Sequence, residues 1–124
     1  AEGSGWSFED IAHRAAGRLI AERALPTDTV FCSNDRLAIG FLAAAYENGL
    51  RVGIGDGHAL RVAGHDDHPF SRFTCPALTT VSQDFDRIAG RSLERLMSII
   101  ESGTRPETKD ATLFDATLVM RASA

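Results

Sequence analysis

The stretch CSNDRLAIG, residues 32–40, decides the fold because it joins an apolar extended run to an apolar helix through a polar cluster. Residues 29–32 are rich in β-branched and aromatic side chains and favour a strand. Asn34 and Asp35 follow directly, and they have two interpretations. Either side chain caps the helix by accepting its orphan N–H groups, or Asn34 holds a ligand at the edge of a sheet.

Length and composition limit the class of protein. The chain has 124 residues and a net charge of −4, so we expect one domain or part of one, with no basic face for nucleic acid. It contains no signal peptide and no apolar run near the roughly 18 residues of a membrane span, which predicts a soluble cytoplasmic protein without membrane partners. Cys32 and Cys75 match no metal or redox spacing.

The order of elements predicts an α/β fold. Strands and helices alternate, which is typical of a mostly parallel sheet with helices on its faces. The expected elements are a helix at 8–24, a strand at 28–33, a helix at 35–48, a glycine-rich loop at 51–58, strands at 59–64 and 78–82, a helix at 84–102, and one or two strands in 111–120.

Local signals set the expected helix boundaries. Ser7 and Asp10 have capping-box spacing, and Leu25-Pro26 should stop the first helix because a residue before proline avoids the α region. Asn48-Gly49 predicts a left-handed cap for the second helix, and Gly103 closes the last one.

Polar pairs follow three predicted strands, at the point where each strand ends. These pairs are Asn34 with Asp35, Asp66 with Asp67, and Gln83 with Asp84. The carboxyl ends of parallel strands share one edge of a sheet, so the pairs should converge on one crevice. Each pair alone also reads as a cap or turn.

The side-chain types suggest the ligand. Amides and carboxylates match the donors and acceptors of vicinal hydroxyls, and an aromatic ring can cover an apolar ring face. Trp6 could supply that ring, or it could anchor the first helix. Phe85 could supply another, although its helical periodicity favours the core.

No catalytic or metal set is visible. The run His65 to His68 alternates its side chains if extended, so at most two neighbours could share an ion. Ser33, Ser71 and Ser82 sit in no G-x-S-x-G elbow, and no phosphate-binding glycine motif follows a strand. We therefore expect no metal, no cofactor and no enzymatic activity.

Three runs together resemble one family. They are FCSNDRLAIGFLAAAYENGLRV (31–52), VAGHDDHPFSRFTCPALTTVSQDFDRIAGRSLERLMSII (62–100) and LVMRAS (118–123). Their order and spacing are similar to the C-terminal half of the ligand-binding core in transcription regulators of the lac repressor and purine repressor type. The resemblance covers about residues 1–122.

The resemblance implies a partial type I periplasmic-binding-protein fold, with a parallel-sheet, Rossmann-like lobe and an effector held between two lobes. It assigns effector contacts to Asn34, Asp66, Gln83, Phe85 and Trp6, and the tryptophan with TTVSQDF leans toward a galactoside or similar sugar. His65 stands where the family usually has Phe or Tyr.

The resemblance also implies absent parts. A full regulator has an N-terminal helix-turn-helix, a hinge helix and the first stretch of both lobes, so this chain would reach operator DNA only through a missing domain. We expect about 1–82 to form the C-terminal lobe, about 83–110 a helix belonging to the other lobe, and about 111–124 the final strand.

The helix from 84 to 102 should then expose an apolar face, here called the α3 stripe: Phe85, Ile88, Ala89, Leu93, Leu96 and Ile100. Burying such side chains stabilises a protein by about 1.5–3 kcal/mol each, so prolonged exposure is unfavourable. We expect the chain to form a homodimer, including a form that exchanges this helix or the final strand.

A second apolar stripe lies on the helix at 35–48. Ile39, Leu42, Ala43 and Tyr46 have i, i+3, i+4, i+7 spacing and match the family's dimer interface. The other interpretation is an ordinary core face, since Leu37, Phe41 and Ala45 form a second apolar side. A helix that is apolar on both sides suits burial between a sheet and a partner.

Alternative functions come from other classes. A solute-binding protein of a sugar transporter shares the implied fold but usually lacks the closing LTTVxQ to LVxR pattern. An enzyme would need a nucleophile, base or metal set. A nucleobase-responsive regulator stays open, because Asp66 could hold a ring N–H as well as a hydroxyl.

Overall fold

The computed structural model describes residues 7–104 and 111–124. The chain forms two compact units, here called the first unit (residues up to 82 with 118–124) and the second unit (83–117). Its elements are α1 Phe8–Ala21, β1 Thr29–Phe31, α2 Asp35–Glu47, β2 Arg61–Ala63, a 3₁₀ turn Ser71–Phe73, β3 Thr80–Gln83, α3 Phe85–Ser102 and β4 Ala116–Val119.

Strands β1 and β2 of the first unit run parallel. Strands β1 and β2 pair in the register Thr29 to Arg61, Val30 to Val62 and Phe31 to Ala63. A parallel bridge from Ala63 to Thr79 carries the pairing on toward β3, which pairs with β4. The predicted α/β class with a parallel sheet is confirmed, and parallel pairing places the ends of β1 and β2 at one edge.

Helix α2 lies at the centre of the hydrophobic core. Its buried apolar residues, Ala38, Phe41, Leu42, Ala44 and Ala45, lie where α1 and β2 pack against it. The buried core consists of Ala16, Ala38, Phe41, Leu42, Ala44, Ala45, Val52, Leu60, Val62 and Leu78. The expected second face of α2 is therefore confirmed at Phe41 and Ala45.

Gly40 allows α1 and α2 to approach closely. A Cβ built at this position would overlap the backbone of Glu9, so only glycine fits under the first turn of α1. In contrast, a Cβ at Gly17 in α1 would meet no atom within 4 Å, so the missing side chain there serves no close contact.

Residues 121–124 complete the first unit after the chain has left it. The Ser123 hydroxyl donates to the Val62 carbonyl over 2.6 Å and accepts from the Thr79 N–H over 2.8 Å. Arg121 donates to the Leu78 carbonyl over 2.8 Å. These bonds insert the returning segment between β2 and the residues that precede β3.

Helix boundaries agree only in part with the sequence. Ser7 precedes α1 but makes no side-chain capping bond, so the predicted capping box is wrong. Helix α1 ends at Ala21, three residues short of the prediction, and Arg23 with φ 52° turns the chain before Pro26 acts. The left-handed residue Gly49, with φ 71°, confirms the predicted end of α2.

Helix α3 matches its prediction closely. The Asp84 carboxyl accepts from the Arg87 N–H over 3.1 Å, and Gly103 with φ 63° ends the helix. Within the part of the chain that the structure describes, α3 has no buried residue. Phe85 is 52% exposed, so its interpretation as a core residue is wrong, and the expected exposure of the α3 stripe is confirmed.

Candidate ligand-binding edge

Asn34 is the N-cap of α2. Its backbone is extended, and its side-chain oxygen accepts from the Leu37 N–H over 2.8 Å. The capping interpretation therefore holds for Asn34. Its amide nitrogen has no partner among the described residues, so the same side chain retains its NH2 group as a donor for a ligand.

Asp35 has a role that its sequence position did not reveal. We expected it to start the helix, and it is the first helical residue, but its side chain is buried, with only 1% of its surface exposed. Its carboxyl oxygens accept from the Ser71 and Thr80 hydroxyls, each over 2.5 Å, and from the His68 N–H over 2.8 Å. We call Asp35 and these three donors the Asp35 cluster.

The Asp35 cluster joins segments that are far apart in sequence. Ser71 lies in the 3₁₀ turn and Thr80 begins β3, so one carboxyl group ties the loop after β2 to the next strand. Neither residue carried a recognisable motif. Their burial and the convergence of hydroxyls on one acidic side chain became visible only in the folded chain.

One backbone bond aligns the ends of β1 and β2. The Asp35 N–H donates to the His65 carbonyl over 2.8 Å, which places Asn34 and Asp66 on neighbouring segments of the same edge. Asp66 has φ 108°, a conformation that costs a non-glycine residue about 1–3 kcal/mol. Its N–H donates to the Val81 carbonyl, and its carboxyl group lies 3.0 Å from Nδ1 of His65.

The carboxyl group of Asp67 is already paired within the first unit. Its carboxyl group accepts from Arg121 over 2.6 Å in an ion pair that is largely buried, with 24% and 16% of the two side chains exposed. Arg121 also binds the Leu78 carbonyl, so the pair fixes the loop after β2 to the segment before β3. Of the adjacent aspartates, Asp66 is the more exposed and the better placed for a ligand.

The remaining predicted contacts lie elsewhere in the chain. Gln83 ends β3 and is half-buried, and Phe85 opens α3; both belong to the second unit. Trp6 lies outside the described residues. The structure brings the Asn34 and Asp66 segments to one edge of the first unit, and the effector contacts assigned to all five residues stay predictions.

Cys32 lies behind this edge. Burial raises the pKa of its thiol to about 11, and the nearby charge of Asp35 adds to the effect. The raised pKa lowers the fraction of thiolate at neutral pH, and the thiolate is the nucleophilic form. Among the described residues, no group of three or more His, Cys, Asp or Glu side chains is arranged to hold a metal.

A groove of about 400 Å³ lies along α2, lined by Ile39, Leu42, Ala43, Tyr46, Thr74 and Cys75. Tyr46 is 82% exposed, whereas Leu42 is 5% exposed and belongs to the core. The predicted interface stripe is thus a row of partly exposed side chains over a buried leucine.

No helix in the described ranges is long and apolar enough to cross a membrane.

Comparison with known proteins identifies relatives among bacterial repressors. The whole chain, residues 1–124, matches the periplasmic binding protein-like domain family. It is 37% identical over 107 residues to the probable HTH-type transcriptional repressor ExuR of Bacillus subtilis (strain 168), covering 86% of this chain and 30% of that protein. It is 32% identical over 119 residues to the repressor PurR of Pasteurella multocida (strain Pm70), covering 96% and 34%.

A solved structure gives the same picture. The lac repressor dimer bound to operator and the anti-inducer ONPF matches with a TM-score of 0.78 at 30% identity, covering 95% of this chain and 38% of that one. These relatives are transcriptional repressors rather than enzymes. The chain spans about a third of their length.

Proposed function

The chain belongs to the periplasmic-binding-protein-like family, as part of the core of a LacI-type transcriptional regulator, and from this we propose that it senses a small polar effector, a sugar. In the longer protein, effector binding would control operator binding by an N-terminal helix-turn-helix in the cytoplasm. The proposed effector contacts are Trp6, Asn34, Asp66, Gln83 and Phe85.

The hydrogen bond from the Asp35 N–H to the His65 carbonyl carries this proposal, because it brings the Asn34 and Asp66 segments to one edge. An amide donor beside a carboxylate acceptor matches adjacent hydroxyl groups of a sugar. The strained backbone of Asp66 supports a functional role as well, since such conformations concentrate at ligand sites.

A thermal-shift screen of the full-length protein tests the proposal. The panel contains D-galactose, lactose, sucrose, D-ribose, hypoxanthine and guanine. A ligand at a hundred times its dissociation constant stabilises the folded protein by about 2.7 kcal/mol, which is a readily measured rise in melting temperature. A response to a sugar supports the proposal, and silence throughout the panel contradicts it.

Two substitutions at one position separate capping from ligand binding. Asn34→Asp keeps an oxygen for the Leu37 N–H and removes the amide donor, while Asn34→Ala removes both. Aspartate caps helices as well as asparagine does, and alanine costs about 1 kcal/mol. We expect Asn34→Asp to retain the melting temperature and lose the sugar response; Asp66→Asn should also lose it.

A nucleobase effector is the second candidate. The relatives named PurR favour it, and Asp66 can accept from a ring N–H as well as from a hydroxyl. In the same screen, a shift with hypoxanthine or guanine but with no sugar would select this candidate. Its dependence on Asp66→Asn should then exceed its dependence on Asn34→Asp.

We also propose that the groove along α2 forms a twofold interface with a second copy. Ile39, Leu42, Ala43 and Tyr46 line it, and the exposed ring of Tyr46 offers apolar surface to a partner. The related lac repressor structure is a dimer. Ala43→Glu places like charges opposite each other across a twofold axis, and we expect monomers in sedimentation of the full-length protein.

The 124-residue chain alone has a further reason to associate. The α3 stripe is exposed within the described residues, and we propose that a second copy covers it, either by packing α3 against α3 or by exchanging α3 or β4. Light scattering at a series of concentrations is the test. A monomer at every concentration would exclude this association.

A further inference from the structure

The segment that follows β2 and carries the adjacent aspartates, here called the 65–68 loop, is held at both ends by Asp35. The Asp35 N–H donates to the His65 carbonyl over 2.8 Å, at the start of the loop. The Asp35 carboxyl group accepts from the His68 N–H over 2.8 Å, at its end. Both ends of the loop are therefore attached to the first residue of α2.

The interior of the loop is held by β3. The Asp66 N–H donates to the Val81 carbonyl over 2.8 Å. The Asp67 N–H donates to the Thr80 hydroxyl oxygen over 3.4 Å, and the same hydroxyl donates to the Asp35 carboxyl group. Asp35 thus reaches the middle of the loop through Thr80, in addition to holding its ends directly.

The carboxyl group of Asp35 has little freedom to move. Its side chain is buried, and the two hydroxyls that bind it belong to the fully buried residues Ser71 and Thr80. A Cβ built on Gly64 would overlap Oδ1 of Asp35, so the carboxyl group packs directly against the backbone that leads into the loop. Because its bonds and its packing hold it in place, Asp35 gives the loop a fixed point of attachment.

The backbone of the loop is in an uncommon conformation. Asp66 has φ 108° and Asp67 has φ 49°, both in the region that favours glycine. Such conformations persist only where the surrounding structure imposes them. The hydrogen bonds from Asp35 and from β3 impose this one, and so they also set the direction of the partly exposed Asp66 side chain.

Resting on the proposed function, we propose that Asp35 is a positioning residue that holds Asp66 in its uncommon conformation at the edge shared with Asn34, and so raises effector affinity. Asp35 does not touch the effector, because its carboxyl group is buried and bonded within the chain. An effector that meets a loop already held in place loses less entropy when it binds. The affinity for the effector then depends on the hydrogen bonds of Asp35.

Calorimetric titration of the full-length protein tests this inference. The probe is the compound of the panel above that gives the largest thermal shift. Thr80→Val removes the hydroxyl that joins Asp35 to Asp67 and keeps the shape of the side chain, whereas Thr80→Ser keeps the hydroxyl. We expect Thr80→Val to raise the dissociation constant about tenfold and Thr80→Ser to stay within about twofold of the wild type. Asp35→Asn, which replaces one acceptor oxygen by a donor, should raise it at least as much as Thr80→Val.

Hydrogen exchange of the full-length protein without effector gives a second readout. The amides of Asp66 and His68 keep their own acceptors in Thr80→Val, so faster exchange at both would show that the whole loop has loosened. Amides in α1 should keep their wild-type rates. An equal rise in exchange throughout the first unit would overturn the inference, because the loss would then be one of general stability.

Leu60→Ala is the control for general stability. Leu60 is a buried core residue directly before β2, at the opposite end of that strand from Asp66, and its truncation should lower the melting temperature without changing the dissociation constant. All titrations are made well below the melting temperature of every variant.

Three binding results would overturn the inference while leaving Asn34 and Asp66 as effector contacts. They are a dissociation constant of Thr80→Val within about twofold of the wild type, an equal loss in Thr80→Ser, and an equal loss in Leu60→Ala. If the wild type binds no compound of the panel, the proposed function fails and this inference fails with it.

Discussion

The Asp35 cluster and the α3 stripe both reverse the usual distribution of side chains, in which charged groups are exposed and apolar groups are buried. In the first unit a carboxyl group is buried, and its donors come from the same chain. In the second unit apolar side chains are exposed, with Leu93 60% and Ile100 63% accessible. The first arrangement is complete by itself, whereas the second lacks the surface that would cover it.

This difference shows which part of the chain supplies its own stability. Buried polar groups are tolerated when every one of them is bonded, and no buried side-chain nitrogen or oxygen in the described residues lacks a partner. Exposed apolar side chains, in contrast, cannot be stabilised by hydrogen bonds and need a covering surface. Substitutions should therefore be costly in the Asp35 cluster and nearly silent for folding in the α3 stripe.

Asp35→Ala should have the largest effect. It leaves the Ser71 and Thr80 hydroxyls and the His68 N–H buried without an acceptor, at a cost of about 3–5 kcal/mol in the free energy of unfolding. Urea denaturation measures this cost. Asp56→Ala in the exposed loop is the control, with a change below about 0.5 kcal/mol. Equal stability of the two variants would contradict the assignment of Asp35 as a structural centre.

Gly40→Ala should follow in size. The new methyl group would overlap the backbone of Glu9 and force α1 away from α2, for a loss of about 1–3 kcal/mol. Gly17→Ala is the matched control within a helix. Because its added methyl group meets no atom, it should stabilise α1 by up to about 1 kcal/mol. Opposite signs in the two melting curves are the expected result.

Leu93→Gln with Leu96→Gln should barely change folding. Both side chains are more than half exposed in the described residues, so the free energy of unfolding should shift by less than about 0.5 kcal/mol. The same double variant should reduce self-association of the 124-residue chain in light scattering. A large loss of stability in the monomer would mean that the α3 stripe is covered within one chain.

The smallest effect should come from the pH dependence of Glu9. Its hydrogen bond to Arg36 lowers the pKa of the carboxyl group, so the Glu9–Arg36 ion pair contributes stability above the unfolded value near 4.5 and loses it as the pH falls. Melting temperatures of wild type and Glu9→Gln should converge from about pH 6 toward about pH 3. Parallel curves over that range would show that the Glu9–Arg36 ion pair does not contribute to folding.

Local sequence patterns predicted the order of helices and strands and the residues at which α2 and α3 end. The α/β order, the parallel pairing and the ends of α2 and α3 follow from periodicity and from Gly49 and Gly103. The family was visible in three runs of residues. Local rules failed at Ser7, where the cap spacing is present but the bond is not made.

The role of Asp35 was beyond local rules for a physical reason. Its partners lie 33 to 45 positions away, and a hydroxyl on a loop has no pattern that marks it as buried. Phe85 was wrongly predicted to be a core residue. Helical periodicity shows which face of a helix is apolar but not whether anything covers that face. The two interpretations of Asn34 are compatible, since its amide oxygen caps α2 while its amide nitrogen keeps its donors.

The return of residues 121–124 to the first unit has a consequence for biosynthesis. The Ser123 hydroxyl fills a place between Val62 and Thr79, and the first of these partners lies 61 positions earlier. A growing chain therefore emerges with that place empty and cannot finish its first unit until the second has been made. Pairing across such a separation is slow because the intervening loop must close first. Translation of residues 121–124 thus sets the earliest moment at which the first unit can be completed.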